Sequence, residues 1–143
     1  MKKKYLIVVA DYYKDIAKGL LDSALKLIPK SNEIKIIRVP GVFEIPVTIS
    51  KNIKKYDAFL ALGCVIKGQT PHFDFISQAS TNAIMDLSIL NKKPIGNGII
   101  TCLNMNQAKV RRKKGAEAAD AVNSVLSQKW KLILIQRIIQ ELL

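Results

Sequence analysis

Apolar positions along the chain fall into short unbroken runs that alternate with stripes at helical spacing. Tyr5 to Ala10 is a continuous apolar run rich in β-branched residues, the pattern of a strand buried on both faces. Ile16, Leu20, Ala24, Leu27 and Ile28 then recur at helical spacing, Leu21 and Leu25 widen that stripe, and Pro29 closes it. Glu33 to Val39 predicts a second strand, broken by Pro40-Gly41, and a helical segment runs from about Phe43 to Lys54. Ala58 to Val65 predicts a third strand. Ile76, Ala79, Ala83, Leu87 and Leu90 mark a helix that ends near Asn91. Ile95 to Cys102 predicts a fourth strand, and Ala116 to about Leu126 a further helix. This alternation predicts an α/β fold with a parallel sheet covered by helices on both faces. Such sheets bind ligands at the carboxyl ends of their strands, which here selects residues 10–14, 40–46, 63–75 and 96–111.

The tail breaks the pattern. Leu132 to Leu143 contains eight Leu or Ile residues. Leu132, Ile135, Ile139 and Leu142 form one stripe, while Ile133, Leu134, Ile138 and Leu143 fall largely off it. The first expectation is a last helix packed on the sheet. Burial against another subunit comes second. A membrane-surface helix comes third, because the polar positions carry one cation, Arg137.

Length adds one point: 143 residues make one domain, 1–143, able to bury a core without a metal or disulfide staple. Cys64 and Cys102 sit inside apolar runs without metal spacing, as expected of reduced, buried thiols in a cytoplasmic protein. The apolar run after the basic start is too short for a signal peptide, and no run of 18 apolar residues exists. Charge changes the picture more. There are 23 Lys and Arg against 11 Asp and Glu, a net charge of +12 that favours an anionic partner. The Lys54-Lys55 and Lys92-Lys93 pairs read as ordinary charged turns before strands. No RRM, KH or helix-turn-helix pattern accompanies the charge, so specific nucleic-acid binding is not expected.

Candidate chemistry gathers on the selected segments. In Gly63 to Phe75 a strand gives way to a helix, with Thr70 as expected N-cap and Pro71 at the first helical position. The amides of Gly68, Gln69 and Thr70 would lie at that helix start, an anion site in waiting. His72 is the only histidine. It is either a surface or capping residue or, beside an anion pocket, a proton carrier. Glu44 is either a helix-start acid or an acceptor for substrate hydroxyls. Arg111 either belongs to the basic run from Lys109 to Lys114 or clasps phosphate. Tyr12-Tyr13 either stacks on a planar ring or caps the core.

Taken in order, four motifs resemble the 6,7-dimethyl-8-ribityllumazine synthase family. They are Gly41 to Pro46, Gly63 to Phe75, Gly98 to Thr101 with Asn104, Gln107 and Ala108, and Lys114 to Ala119. The resemblance covers about 5–126 and leaves 127–143 unassigned. It implies a flavodoxin-like three-layer α/β/α sandwich with a four-stranded parallel sheet. It also implies a transferase of riboflavin biosynthesis that condenses 5-amino-6-(D-ribitylamino)uracil with 3,4-dihydroxy-2-butanone 4-phosphate. The implied reaction uses no metal or redox cofactor. By resemblance, Tyr12 stacks on the pyrimidine, and Val42, Phe43 and Glu44 form the ribityl and pyrimidine pocket. Cys64, Val65 and Ile66 line the base edge, Gln69 and Thr70 form the phosphate loop, and His72 carries protons. Asn97, Arg111 and Lys114 would come from the neighbouring subunit of a homo-oligomer, a pentamer, with Arg111 on phosphate. Asn97 stands where many relatives carry Phe. A cytoplasmic location, a functional link to riboflavin synthase and the absence of a membrane partner complete what is implied. Two other classes compete with this one, a nucleic-acid-binding module and a non-catalytic flavin-binding protein.

Overall fold

Strands that are apolar throughout need cover on both faces, and the fold provides it. In the computed structural model, which describes residues 2–128 and 130–143, the apolar runs form four strands. They are β1 (Lys4–Ala10), β2 (Glu33–Val39), β3 (Ala58–Ile66) and β4 (Ile95–Cys102). All pair in parallel, in the order β2-β1-β3-β4. Around them lie α1 (Lys14–Leu27), α2 (Ile45–Asn52), α3 (His72–Asn91), α4 (Met105–Val110), α5 (Lys114–Leu126) and α6 (Trp130–Leu142).

Successive strand residues point to opposite faces, which divides the core into two layers. Ile7, Val9, Leu60 and Leu62 meet Leu20 and Ala24 of α1 and Ala119 and Val122 of α5. Leu6, Val8, Phe59 and Ala61 meet Ile45 and Ile49 of α2 and Ile84 of α3. The result is a flavodoxin-like α/β/α sandwich. Its central strands, β1 from Tyr5 on and β3 from Ala58 to Val65, are apolar and buried on both faces.

Three expectations need correction. The segment after Pro40 is not one helix: Val42–Glu44 is a 3-10 turn, and α2 starts at Ile45, with Pro46 in its first turn. It stops at Asn52, short of Lys54, because the next residues turn toward β3. Pro71, not Thr70, caps α3. The proline has no N–H to give, so the Thr70 hydroxyl reaches past it to the His72 amide in a long 3.5 Å hydrogen bond. The tail does form a helix, α6, but residues 135–143 are exposed rather than packed on the sheet. Ala118, Ala119 and Val122 of α5 already fill the space beside α1. The side chains of Leu132, Ile133 and Leu134 lie outside the described residues.

Candidate active site

Three strands deliver their following residues to one place. β1 ends at Ala10, and the Asp11 amide donates to the Val39 carbonyl at 3.1 Å, tying the ends of β1 and β2 together. Gly63 on β3 lets the 3-10 turn settle onto the sheet, since a Cβ there would come within 2.7 Å of Val42 Cγ2. The Lys67 amide donates to the Cys102 carbonyl at 2.9 Å and turns the chain toward α3.

These ends enclose a cavity of about 590 Å³. Eight expected residues line it: Tyr12, Val42, Phe43, Glu44, Cys64, Val65, Ile66 and His72. Three more residues line it: Tyr13, already a candidate for stacking or for capping the core, and Gly41 and Ile76, to which sequence reasoning assigned no site role. Ile76 had a signal, because it lies one helical turn after His72 and shares its face. Tyr13 is half-buried and packed against the core. Its ring meets that of Tyr12 edge-on, with centroids 4.9 Å apart and planes at 80°. Tyr12 itself is 75% exposed, so the core-packed neighbour props an otherwise free ring.

Glu44 belongs to the turn as well as to the cavity. Its Oε2 accepts a 3.0 Å hydrogen bond from the Gly41 amide, which orients the carboxylate and leaves its other oxygen for a ligand hydroxyl. Burial pushes the Cys64 thiol up to about 12, with Cys102 adding to the shift. Burial also raises Cys102, partly offset by the positive charge of Arg111. Cys64 is therefore a neutral wall residue rather than a thiolate nucleophile. Burial and then Cys64 and Tyr12 raise Tyr13 too, so its phenol stays protonated near neutral pH. Among the described residues, no group of three or more His, Cys, Asp and Glu comes together to hold a metal.

The remaining expected residues stand apart. Gln69 and Thr70 are exposed on the loop before α3 and do not line the cavity. Arg111 and Lys114 share a second cavity of about 430 Å³ with Thr101 and Glu117. Arg111 Nη1 donates to the Gln107 carbonyl at 3.1 Å, and Lys114 pairs with Glu117 at 2.6 Å. Asn97 lies near the start of β4 rather than at its carboxyl end. It is exposed, opposite Ala61, and its Oδ1 accepts from the Ile99 amide at 3.1 Å.

An open parallel sheet with a mixed aromatic and polar cavity at its strand ends belongs to the α/β class that binds small molecules there. Comparison with known proteins narrows the class. The model of the family described as 6,7-dimethyl-8-ribityllumazine synthase matches residues 2–129. The 6,7-dimethyl-8-ribityllumazine synthase of Agrobacterium fabrum is 40% identical over 146 residues, covering 92% of this chain and 99% of that protein. The one from Cutibacterium acnes is 40% identical over 133 residues, covering 87% of this chain and 80% of its own. The one from Methylobacterium nodulans is 42% identical over 139 residues, covering 88% and 77%. The chain belongs to the 6,7-dimethyl-8-ribityllumazine synthase family.

Proposed function

We propose that the chain is the transferase of riboflavin biosynthesis that makes 6,7-dimethyl-8-ribityllumazine. It condenses 5-amino-6-(D-ribitylamino)uracil with 3,4-dihydroxy-2-butanone 4-phosphate, releasing phosphate and water. The observation that carries this reading is the family match over residues 2–129, with eight of the expected site residues lining one cavity. The uracil's amino group attacks the ketone carbon, and loss of water gives an imine. The C–O bond to phosphate breaks by elimination, and closure of the second ring expels another water. Such chemistry needs two substrates held together and protons moved between them. Tyr12 offers a face for the pyrimidine, Glu44 an acceptor for ribityl hydroxyls, and His72 a carrier for protons. Mixing the purified protein with both substrates should form the fluorescent lumazine far faster than buffer does; equal rates would sink the assignment.

Arg111 and Lys114 sit in a cavity of their own, so we assign them to the site of a second copy. In a homo-oligomer, a pentamer by family resemblance, each first cavity would receive the second cavity of its neighbour. Asn97, exposed on an edge strand, would enter from the same side. The exposed Gln69 and Thr70 would meet the phosphate at that junction. A cytoplasmic enzyme that passes its product to riboflavin synthase fits this scheme.

Two outcomes follow for binding. Arg111→Ala should raise the KM for the butanone phosphate about tenfold, the loss of one charge-assisted contact, with kcat little changed. Steady-state rates at varied butanone phosphate check this, and an unchanged KM removes Arg111 from the phosphate. Tyr13→Ala should raise the KM for the ribitylaminouracil about fivefold by freeing the Tyr12 ring. Tyr13→Phe, which keeps the edge-on pair, should leave it near the parent value.

A further inference from the structure

The condensation leaves most of the +12 charge without a task. The fold shows where much of it goes. In a parallel sheet every segment that enters a strand arrives at the same end. Here those segments and strand starts carry Lys2 and Lys3 before β1 with Lys4 opening it, Lys30 before β2, Lys54-Lys55 before β3 and Lys92-Lys93 before β4. Against these eight lysines the same segments and strand starts hold two acids, Glu33 and Asp57. Asp57 is partly spent, because its carboxylate accepts the Lys4 amide at 2.8 Å. The ion pairs among the described residues involve Lys18, Arg112 and Lys114, none of them at this end.

The lysine turns form one stitched surface. The Lys3 amide donates to Asn32 Oδ1 at 2.9 Å, the Asp57 amide to the Lys4 carbonyl at 2.8 Å, and the Phe59 amide to the Pro94 carbonyl at 3.0 Å. Lys93 Nζ donates to the Ile53 carbonyl at 2.6 Å. The surface lies at the opposite end of the strands from the catalytic cavity.

Helix α6 starts from this same end. Asn123 near the end of α5 accepts from the Tyr5 hydroxyl at 2.7 Å and donates to the Leu27 carbonyl at 2.8 Å, which places that end beside the start of β1. The tail that follows lies outside the residues matched by the family model. Ile135, Ile138, Ile139 and Leu142 are 52, 48, 51 and 81% exposed on one helical face. Gln136, Arg137, Gln140 and Glu141 take the other face. A 13-residue helix has marginal stability alone in water, so such a face gains from a cover. Leu90 and Val125, exposed in the last turns of α3 and α5, add apolar area near the lysines.

We propose that this end of the molecule docks on an anionic lipid bilayer, with the lysines on its headgroups and α6 lying in its surface. A basic patch or a short apolar helix alone binds a membrane weakly, whereas the two together give attachment. Lys131 and Arg137 are the only cations in the sequence of α6, and the turns of the sheet supply the rest. Charge complementarity names an anionic surface, and the exposed isoleucines favour a bilayer over a nucleic acid, whose phosphates have no use for them. Among the described residues no helix is long and apolar enough to cross a membrane, and none is needed for this docking.

The test uses the intact chain and vesicles of equal parts phosphatidylcholine and phosphatidylglycerol. The single tryptophan, Trp130, opens α6 and reports insertion through a blue shift of its emission. Binding should be at least about tenfold tighter than to phosphatidylcholine alone, and should weaken as salt rises. Lys54→Glu with Lys55→Glu should weaken it about tenfold or more, as should Ile135→Ser with Ile139→Ser. Both variants should keep the parent rate of condensation, which shows that they fold. Absence of vesicle binding by the parent, or binding that neither variant changes, overturns the proposal. So does a tail variant that only lowers the light-scattering mass, which would make a second copy the cover of α6. Retention on duplex RNA without vesicle binding would likewise make the face a nucleic-acid surface.

Discussion

Turnover by a His72→Ala protein is expected to fall roughly a hundredfold, the lower part of the range for a positioned acid–base group. The lower part is expected because His72 is exposed at the rim of the cavity, where water can take over some transfers. The ring opens α3 and is the only imidazole in the chain, so no second one can substitute. Its removal should barely change KM, since neighbouring walls and cations hold the substrates. Stability should be nearly untouched for the same reason, exposure. Initial rates at saturating substrate give the first quantity, and a denaturant titration gives the second. A variant with parent-like kcat would return His72 to the status of a surface residue.

The largest loss of stability is expected at Gly115. A Cβ there would stand 1.9 Å from the Leu20 carbonyl oxygen and 2.7 Å from Ser23 Oγ. Its φ is not positive, so the glycine serves closeness rather than a special conformation. It lets the start of α5 press on the backbone of α1, and Ser23 closes the contact. The Ser23 hydroxyl donates to the Arg112 carbonyl at 3.1 Å and accepts from the Ala116 amide at 3.2 Å. Backbone cannot yield as a side-chain tip can. Gly115→Ala should therefore cost about 3 kcal/mol or more, at the upper end of overpacking effects. In a chain of this size that lowers Tm by about 10 °C. Gly68→Ala, with nothing within 4 Å of the added carbon, is the control and should change stability by less than about 0.5 kcal/mol. Equal melting of the two variants would mean that α5 can slide away from α1 at little cost.

Much of this molecule is legible in the order of its residues. The four apolar runs give the strands, with the two outer runs matched end to end. The rule that ligands meet strand ends finds the cavity, because that rule needs only the order of elements. Gly115 belongs to a motif visible in the sequence, but its distance from Leu20 depends on how two helices lie together. Tyr13 has the same history: adjacency to Tyr12 is plain, whereas the edge-on pairing requires the turn between β1 and α1. Separation of Arg111 from His72 into two cavities is a fact of three dimensions. The lysine turns show the limit most clearly. Each pair is an ordinary charged turn alone, and only parallel topology brings them all to one end. For the tail, periodicity predicts a helix, yet it cannot say that α1 and α5 leave no room on the sheet.

The open edge of β2 has one more consequence. This strand hydrogen-bonds to β1 alone, so its far side offers backbone groups to any passing extended chain. Its seven residues include exposed Glu33, Lys35 and Arg38, spaced so that an added strand would have to bury charge. The edge thus carries its own protection against amyloid-like zippering, and a strongly cationic copy would be repelled before it docked. A concentrated, enzyme-rich solution can stay clear because the one strand left unpaired on that side is the one least able to recruit another.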